Sequence, residues 1–78
     1  MVDSIRDRVL RVLAAESGRC LSDLKPGDHL QMDLGFDSLD MARLQMEIEN
    51  EFDIDLPDNH FRNVYTVGGL IAFVAREV

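Results

Sequence analysis

Apolar residues recur with a helical period in three stretches of this 78-residue chain, and a long aperiodic segment separates the first two. Ile5, Val9, Val12 and Leu13 fall at i, i+4, i+7 and i+8, one stripe of an amphipathic helix. Ser4 and Asp7 have the spacing of a capping box, while Arg6, Arg8 and Arg11 lie largely off the stripe. Gly18 is a natural stop, so the spacing predicts a first helix from about Asp3 to Ser17. Val67, Leu70, Ile71, Val74 and Val78 form the stripe of a last helix, capped by Thr66. Gly68 and Gly69 stand in its first turn, where each costs roughly 1 kcal/mol relative to Ala if fully helical. A short third helix is predicted over Asp58–Val64.

The strongest signal, from Ser38 to Phe52, has two apolar faces. Met41, Leu44, Ile48 and Phe52 make one stripe. Leu39, Ala42 and Met46 make a second on nearly the opposite side, with Asp40, Glu47 and Glu51 between them. In an arbitrary helix a second stripe is more often core than contact surface. Here it begins at the helix start and is flanked by carboxylates, the composition of an apolar patch with a charged rim. Ahead of this helix, residues 18–36 show no period, and Pro26-Gly27 marks a turn. Loops of this length in small domains are often functional. Leu21, Leu24, Leu30 and Leu34 are spaced so that some can pin the loop to a core, and Cys20 is expected as a small buried or half-buried apolar side chain.

Composition narrows the classes of function. Seventy-eight residues make one domain, 1–78, whose core must be mostly aliphatic because there is no Trp and one Tyr. A single cysteine rules out an internal disulfide and a Cys-based metal site, and favours a reducing compartment, read here as the cytoplasm. No apolar run approaches the roughly 20 residues of a membrane span. The charges at Asp3, Arg6, Asp7, Arg8 and Arg11 are unlike a secretory signal. Between Asp28 and Asp58, ten acids face Arg43 alone, a balance of −9 within a net charge of −7. Such a region repels nucleic acid and attracts a basic protein surface, although most charge runs only keep a face solvated. Asp53-Ile54-Asp55-Leu56-Pro57 is a poor calcium loop, since Pro57 takes a ligand position and no Gly or distant Glu completes the pattern. No metal is expected.

The stretch Asp33-Leu34-Gly35-Phe36-Asp37-Ser38-Leu39 carries the candidate chemistry. Gly35 permits a left-handed turn, and Asp37 is a good N-cap for a helix starting at Ser38. A hydroxyl at that first position sits beside backbone N–H groups suited to a phosphate. A bare Asp-Ser pair usually does no more than start a helix. A hydrolase reading finds little support. Leu39 and Asp40 follow Ser38 where a nucleophile elbow needs a glycine, and His29 and His60 suit surface or partly packed positions better than a general base. A domain this small also has little room for a pocket, an oxyanion hole and a triad.

The string Asp-Leu-Gly-x-Asp-Ser-Leu resembles the signature of acyl carrier proteins, and Phe-x-Ile-x-Leu-Pro (Phe52 to Pro57) and Thr66-Val67-Gly68 resemble that family's later landmarks. The resemblance implies an all-α antiparallel four-helix bundle with a short third helix and a long loop between helices one and two. It implies no catalysis by the chain itself. Ser38 would carry 4′-phosphopantetheine, transferred from coenzyme A by a phosphopantetheinyl transferase, with Asp37 capping the helix beside it. The arm's thiol would hold acyl groups as thioesters, and saturated chains can slip between the helices in this family. Leu39, Ala42, Arg43, Met46, Glu47 and Glu51 would form the face met by acyl-transferring, condensing or acyl-modifying enzymes with basic docking patches, the chain acting as a monomer in fatty-acid, polyketide or related lipid synthesis. Arg43 stands where the family commonly has an acid, Phe36 and Ala42 differ in size from the usual residues, and Gly69 replaces a frequent acid. These departures leave room for a specialised carrier. A peptidyl or aminoacyl carrier, or an unmodified acidic adaptor for a basic protein, are the alternatives.

Overall fold

The computed structural model describes residues 4–57 and 61–78, and among these it shows three α-helices and no strand. Helix α1 spans Ile5–Ser17. Ser4 caps it by accepting the Asp7 N–H at 3.1 Å, and Gly18 ends it with φ 72°, its N–H donating to the Ala14 carbonyl. Helix α2 spans Ser38–Phe52 and stops at Asp53, a non-glycine residue in the left-handed region at φ 53°. Helix α3 spans Val67–Glu77, where the Thr66 hydroxyl accepts the Gly69 N–H at 3.0 Å. The predicted helix over Asp58–Val64 falls partly outside the described residues, since 58–60 are not among them. In the described part Phe61 is helical and donates to the Pro57 carbonyl at 3.0 Å, but the helix does not reach the predicted Val64: Arg62 and Asn63 form a turn, closed by the Val64 N–H donating to the Phe61 carbonyl at 3.1 Å.

The core forms where the predicted stripes meet. α1 lies against both other helices and contributes Val9 and Leu13, α2 contributes Leu44 and Ile48, and α3 contributes Val67, Leu70, Phe73 and Val74. Phe61 packs edge-on against Phe73, with ring centres 6.2 Å apart. On the flank of this core, Arg8 of α1 donates to the Glu51 carboxylate at 2.8 Å and to the Glu51 carbonyl, and stacks on the Phe52 ring. One cation thereby joins α1 to the C-terminal end of α2, where a positive charge complements the helix dipole.

The long loop is wound onto the core instead of hanging from it. A single turn of 3₁₀-helix, Leu21–Asp23, reverses the chain early. Leu24, Leu30, Leu34 and Phe36 are buried, so three of the four loop leucines do pin it. Leu21 does not, being 45% exposed. Cys20 is exposed as well, contrary to the buried position expected of it. It precedes the 3₁₀ turn in extended conformation, and the inward position next in the chain goes to Leu24.

Backbone hydrogen bonds tie the loop to the start of α3. Leu30 N–H donates to the Tyr65 carbonyl, Val67 N–H to the Asp28 carbonyl, and Gly68 N–H to the Pro26 carbonyl at 2.9 Å. A Cβ on Gly68 would come within 3.1 Å of that same Pro26 oxygen. The glycine that looked costly for α3 is the residue that lets the loop backbone approach this closely.

Candidate functional site at the start of helix α2

Three local features present Ser38. Gly35 takes φ 77°, bending the chain out of the coil formed by residues 29–36. Phe36 is buried and anchors that bend. Asp37 then caps α2, accepting the Asp40 N–H at 2.8 Å, while the Asp40 carboxylate accepts the Asp37 N–H at 3.1 Å. This reciprocal capping box fixes the backbone on both sides of Ser38 and leaves its side chain exposed in the first turn. The sequence showed Asp37 as a cap. Asp40 as its partner was the missed half, though Asp-x-x-Asp has the required spacing.

The electrostatics follow from the same bonds. The Asp37 carboxyl is held below its ordinary range, chiefly because it accepts the Asp40 N–H. Desolvation opposes the shift, while the Asp40 side chain, the Leu39 N–H and the Arg43 charge reinforce it. Arg43 lies 4.0 Å from the other Asp40 oxygen, an exposed i,i+3 contact. Asp37 is therefore a fixed negative charge immediately before Ser38 at neutral pH.

The second stripe of α2 faces outward. Leu39 is 73% and Met46 59% exposed, and Ala42 is exposed between them. Met41 and Phe52, grouped with the inward stripe, are only partly buried. Glu47 and Glu51 lie on the flank toward α1, but they differ: the Glu51 carboxylate is engaged by Arg8. Sequence spacing could not reveal that pair, whose members are 43 residues apart.

Beside Ser38 opens a cavity of about 430 Å³ between α2 and residues 61–65. Met41, Ala42, Phe61 and Val64 give it apolar walls, and Gln31, Gln45, Arg62 and Tyr65 give it polar ones. Tyr65 stacks on His29, whose Nδ1 accepts the N–H groups of Gln31 and Met32. That ring nitrogen is committed to the loop backbone and is not free to act as a base. His60 lies outside the described residues. Among the described residues, no polar or charged side chain is buried, and no cluster of three or more His, Cys, Asp or Glu could hold a metal ion. No helix among them is long and apolar enough to cross a membrane. An exposed hydroxyl on a rigid helix start, next to a cavity, suits covalent attachment of a flexible group better than turnover of a substrate.

Known proteins resemble this chain in sequence and fold. Residues 7–74 match the family described as a phosphopantetheine attachment site. The chain is 37% identical over 73 residues to an acyl carrier protein of Chlorobium luteolum, covering 94% of both chains. It is 32% identical over 73 residues to one from Rickettsia bellii, covering 94% of this chain and 85% of that one. A solved structure assigned as an acyl carrier protein of Mycobacterium tuberculosis superposes with a TM-score of 0.84 at 29% identity, covering 94% of this chain and 97% of that one. With its match spanning most of the chain and its helices arranged alike, this protein belongs to the acyl carrier protein family, whose cofactor is 4′-phosphopantetheine.

Proposed function

We propose that Ser38 is the residue that takes the arm. What carries this reading is its position: an exposed hydroxyl in the first turn of α2, fixed by the Asp37–Asp40 cap and adjoining a cavity between α2 and residues 61–65. In the attachment step the Ser38 Oγ forms a bond to the phosphorus next to the pantetheine of coenzyme A. The pyrophosphate bond breaks, adenosine 3′,5′-bisphosphate leaves, and the hydroxyl proton passes to a base on the transferase. Once attached, the group supplies a terminal thiol that holds an acyl chain as a thioester. Asp37 holds the serine's backbone and presents a charge to the transferase. The chain contributes no catalytic residue of its own.

Leu39, Ala42 and Met46 form the contact stripe of the partner face, with Arg43, Glu47 and Glu51 around it. The exposure of Leu39 and Met46, on one stripe with the exposed Ala42, supports this role. The partners are the transferase and lipid-synthesising enzymes with basic docking patches, met by a monomer in the cytoplasm. Residues 1–78 act as one carrier domain, and a short helix ending at Phe61 makes the fourth member of the bundle, a reading supported by the helical Phe61 and its hydrogen bond to the Pro57 carbonyl.

Incubation with coenzyme A, Mg²⁺ and a broad-specificity transferase should add one phosphopantetheinyl group per chain by intact mass. Ser38→Ala should gain nothing and keep its helical circular dichroism. A wild-type mass that stays unchanged, beside a control carrier that is modified, would remove Ser38 from this role.

A further inference from the structure

The coil of residues 29–36, which delivers the chain to Ser38, is closed at its start by a histidine. The half-buried His29 ring holds its Nδ1 toward the N–H groups of Gln31 and Met32, which donate to it at 3.2 and 3.1 Å. The backbone of the same residue is bound as well. Its N–H donates to the Asp33 carboxylate at 2.6 Å, and its carbonyl accepts the Asp33 and Leu34 N–H groups. Further along, Gly35 and Phe36 donate to the Gln31 and Leu30 carbonyls, and Asp37 then caps α2. The His29 ring also stacks on Tyr65, whose carbonyl accepts the Leu30 N–H, so this residue ties the coil to the segment before α3.

A side chain that accepts the N–H groups two and three residues ahead acts as an N-cap. That position ordinarily belongs to Ser, Thr, Asp or Asn, which hold an acceptor throughout the neutral range. Histidine does not. Its neutral ring has one acceptor nitrogen, and here that is Nδ1, with the proton on Nε2. The imidazolium has none, and its Nδ1–H would meet two N–H groups already aimed at the same point. The charged and titratable groups at this junction are Asp33, Tyr65, Asp28 (which accepts the Lys25 N–H) and Arg19, which donates to the Asp33 carbonyl. Asp33 and the Tyr65 face suit a charged ring as well as a neutral one. The two N–H groups suit only the neutral one, and without it they lose their partner.

We infer that His29 is a positioning residue for attachment at Ser38, holding the coil that presents the serine only while its ring is neutral. The inference rests on the reading that Ser38 takes the arm, and it adds a pH dependence to that step. Histidine changes charge between about pH 5 and 8. Acidification within that range frees the start of the coil. The fraction of chains offering Ser38 in a fixed geometry then falls, and the KM for attachment rises with kcat unchanged.

Two variants separate the acceptor from the ring. His29→Asn puts an amide oxygen near the place of Nδ1 and does not titrate, while His29→Phe keeps the stack on Tyr65 and has no acceptor. Protection of the Gln31 and Met32 amides is read by hydrogen exchange before attachment, relative to the unstructured rate at each pH. Attachment is read by mass, as kcat and KM with the transferase. At about pH 7.5 wild type and His29→Asn should agree, whereas His29→Phe should lose about tenfold in protection at both amides and show a KM raised about threefold. At about pH 5.5 wild type should move to the His29→Phe values and His29→Asn should hold. Comparison at one pH cancels the transferase's own titration, and His60 is common to all three proteins. The inference is overturned if His29→Asn behaves as His29→Phe at neutral pH, or if wild type and His29→Asn keep step on acidification. It is overturned too if protection is lost with no change in KM, which would make the cap structural only. A protein that takes no arm at any pH fails at Ser38 instead, a failure the amide readings do not share, and the positioning role falls with that reading.

Discussion

The inward and outward faces of α2 are built from similar residues and have different fates. Leu44 and Ile48 are fully buried, while Leu39 and Met46, equally apolar, stand in solvent. Hydrophobicity does not separate the two sets; what they face does. α1 and the wound loop cover the inner stripe, and no described segment covers the outer one. An apolar residue costs little on a protein surface, and scattered ones are ordinary. A stripe of them that starts at a presented serine and runs between acids is a different matter, because its pattern is that of a contact patch. The inner stripe therefore reports on folding, and the outer stripe is where the proposed partner face is to be tested.

The largest expected effect tests that division directly. Leu44→Ala should lower unfolding stability by about 2–5 kcal/mol, through lost burial and the cavity left behind. Small domains have roughly 5–15 kcal/mol in total, so the variant should be severely weakened. Met46→Ala should change stability by no more than about 0.5 kcal/mol. Urea melts of the two variants check both values. Comparable losses would mean that the outer stripe is part of the core.

The next effect concerns the layer that covers the inner stripe. Helix propensity alone says that Gly68→Ala should stabilise α3 by roughly 1 kcal/mol. The 3.1 Å approach of a Cβ to the Pro26 carbonyl oxygen says the reverse, because backbone must shift to make room. Gly68→Ala should lower the melting temperature, and hydrogen exchange of the Gly68 amide should quicken as its bond to Pro26 weakens. Gly69→Ala meets only its own helix's Thr66 hydroxyl, also at 3.1 Å, so it should perturb the cap and leave the loop's exchange unchanged.

These glycines show where the sequence is legible and where it is not. Local periodicity and capping chemistry are written in neighbouring residues, so Ser4, Gly18, Asp37 and Thr66 could be assigned their roles in advance. Both stripes of α2 could be drawn for the same reason. The loop was legible only in part: its leucines announced burial, but which of them turn inward depends on a 3₁₀ reversal that no pattern marks. Contacts distant in the chain left no signal at all. Arg8 with Glu51, His29 with Tyr65 and Gly68 with Pro26 are each set by how the elements meet, and so is the cavity that brings Arg62 toward Ser38. Ser38 could be singled out because the residues that present it in space, Gly35 to Asp40, are also its neighbours in sequence.

A smaller effect lies at the boundary between the faces, where the cap fixes the start of α2. Asp37 has a folded-state pKa below its ordinary value of 3.8, so its charge stabilises the fold above that value and ceases to do so as pH falls through the lower, folded-state one. Asp37→Asn keeps a capping side chain and removes the charge. The gap in melting temperature between wild type and Asp37→Asn should be widest near neutrality and should close on acidification below 3.8. A gap constant with pH would mean that the hydrogen bond to Asp40, and not the charge, carries the cap.

The smallest effects separate two acids on the outer face that look equivalent in sequence. Glu47→Gln and Glu51→Gln each remove one negative charge from the same flank of α2. Steering depends on the summed field, so both should slow association with a basic partner alike at low salt, and the effect should fade as salt is added. Dissociation should distinguish them. Glu47 has its carboxylate open to a partner's cation, whereas Glu51 must first give up Arg8 at 2.8 Å. Glu47→Gln should therefore speed dissociation and leave stability alone. Glu51→Gln should leave dissociation near wild type and cost up to about 1 kcal/mol of stability, the range for a partly exposed ion pair. Stopped-flow dissociation from the transferase, with melts of the same proteins, reads both quantities. If Glu51→Gln speeds dissociation as much as Glu47→Gln, Arg8 yields its partner on docking, and the outer face extends to the junction of α1 and α2.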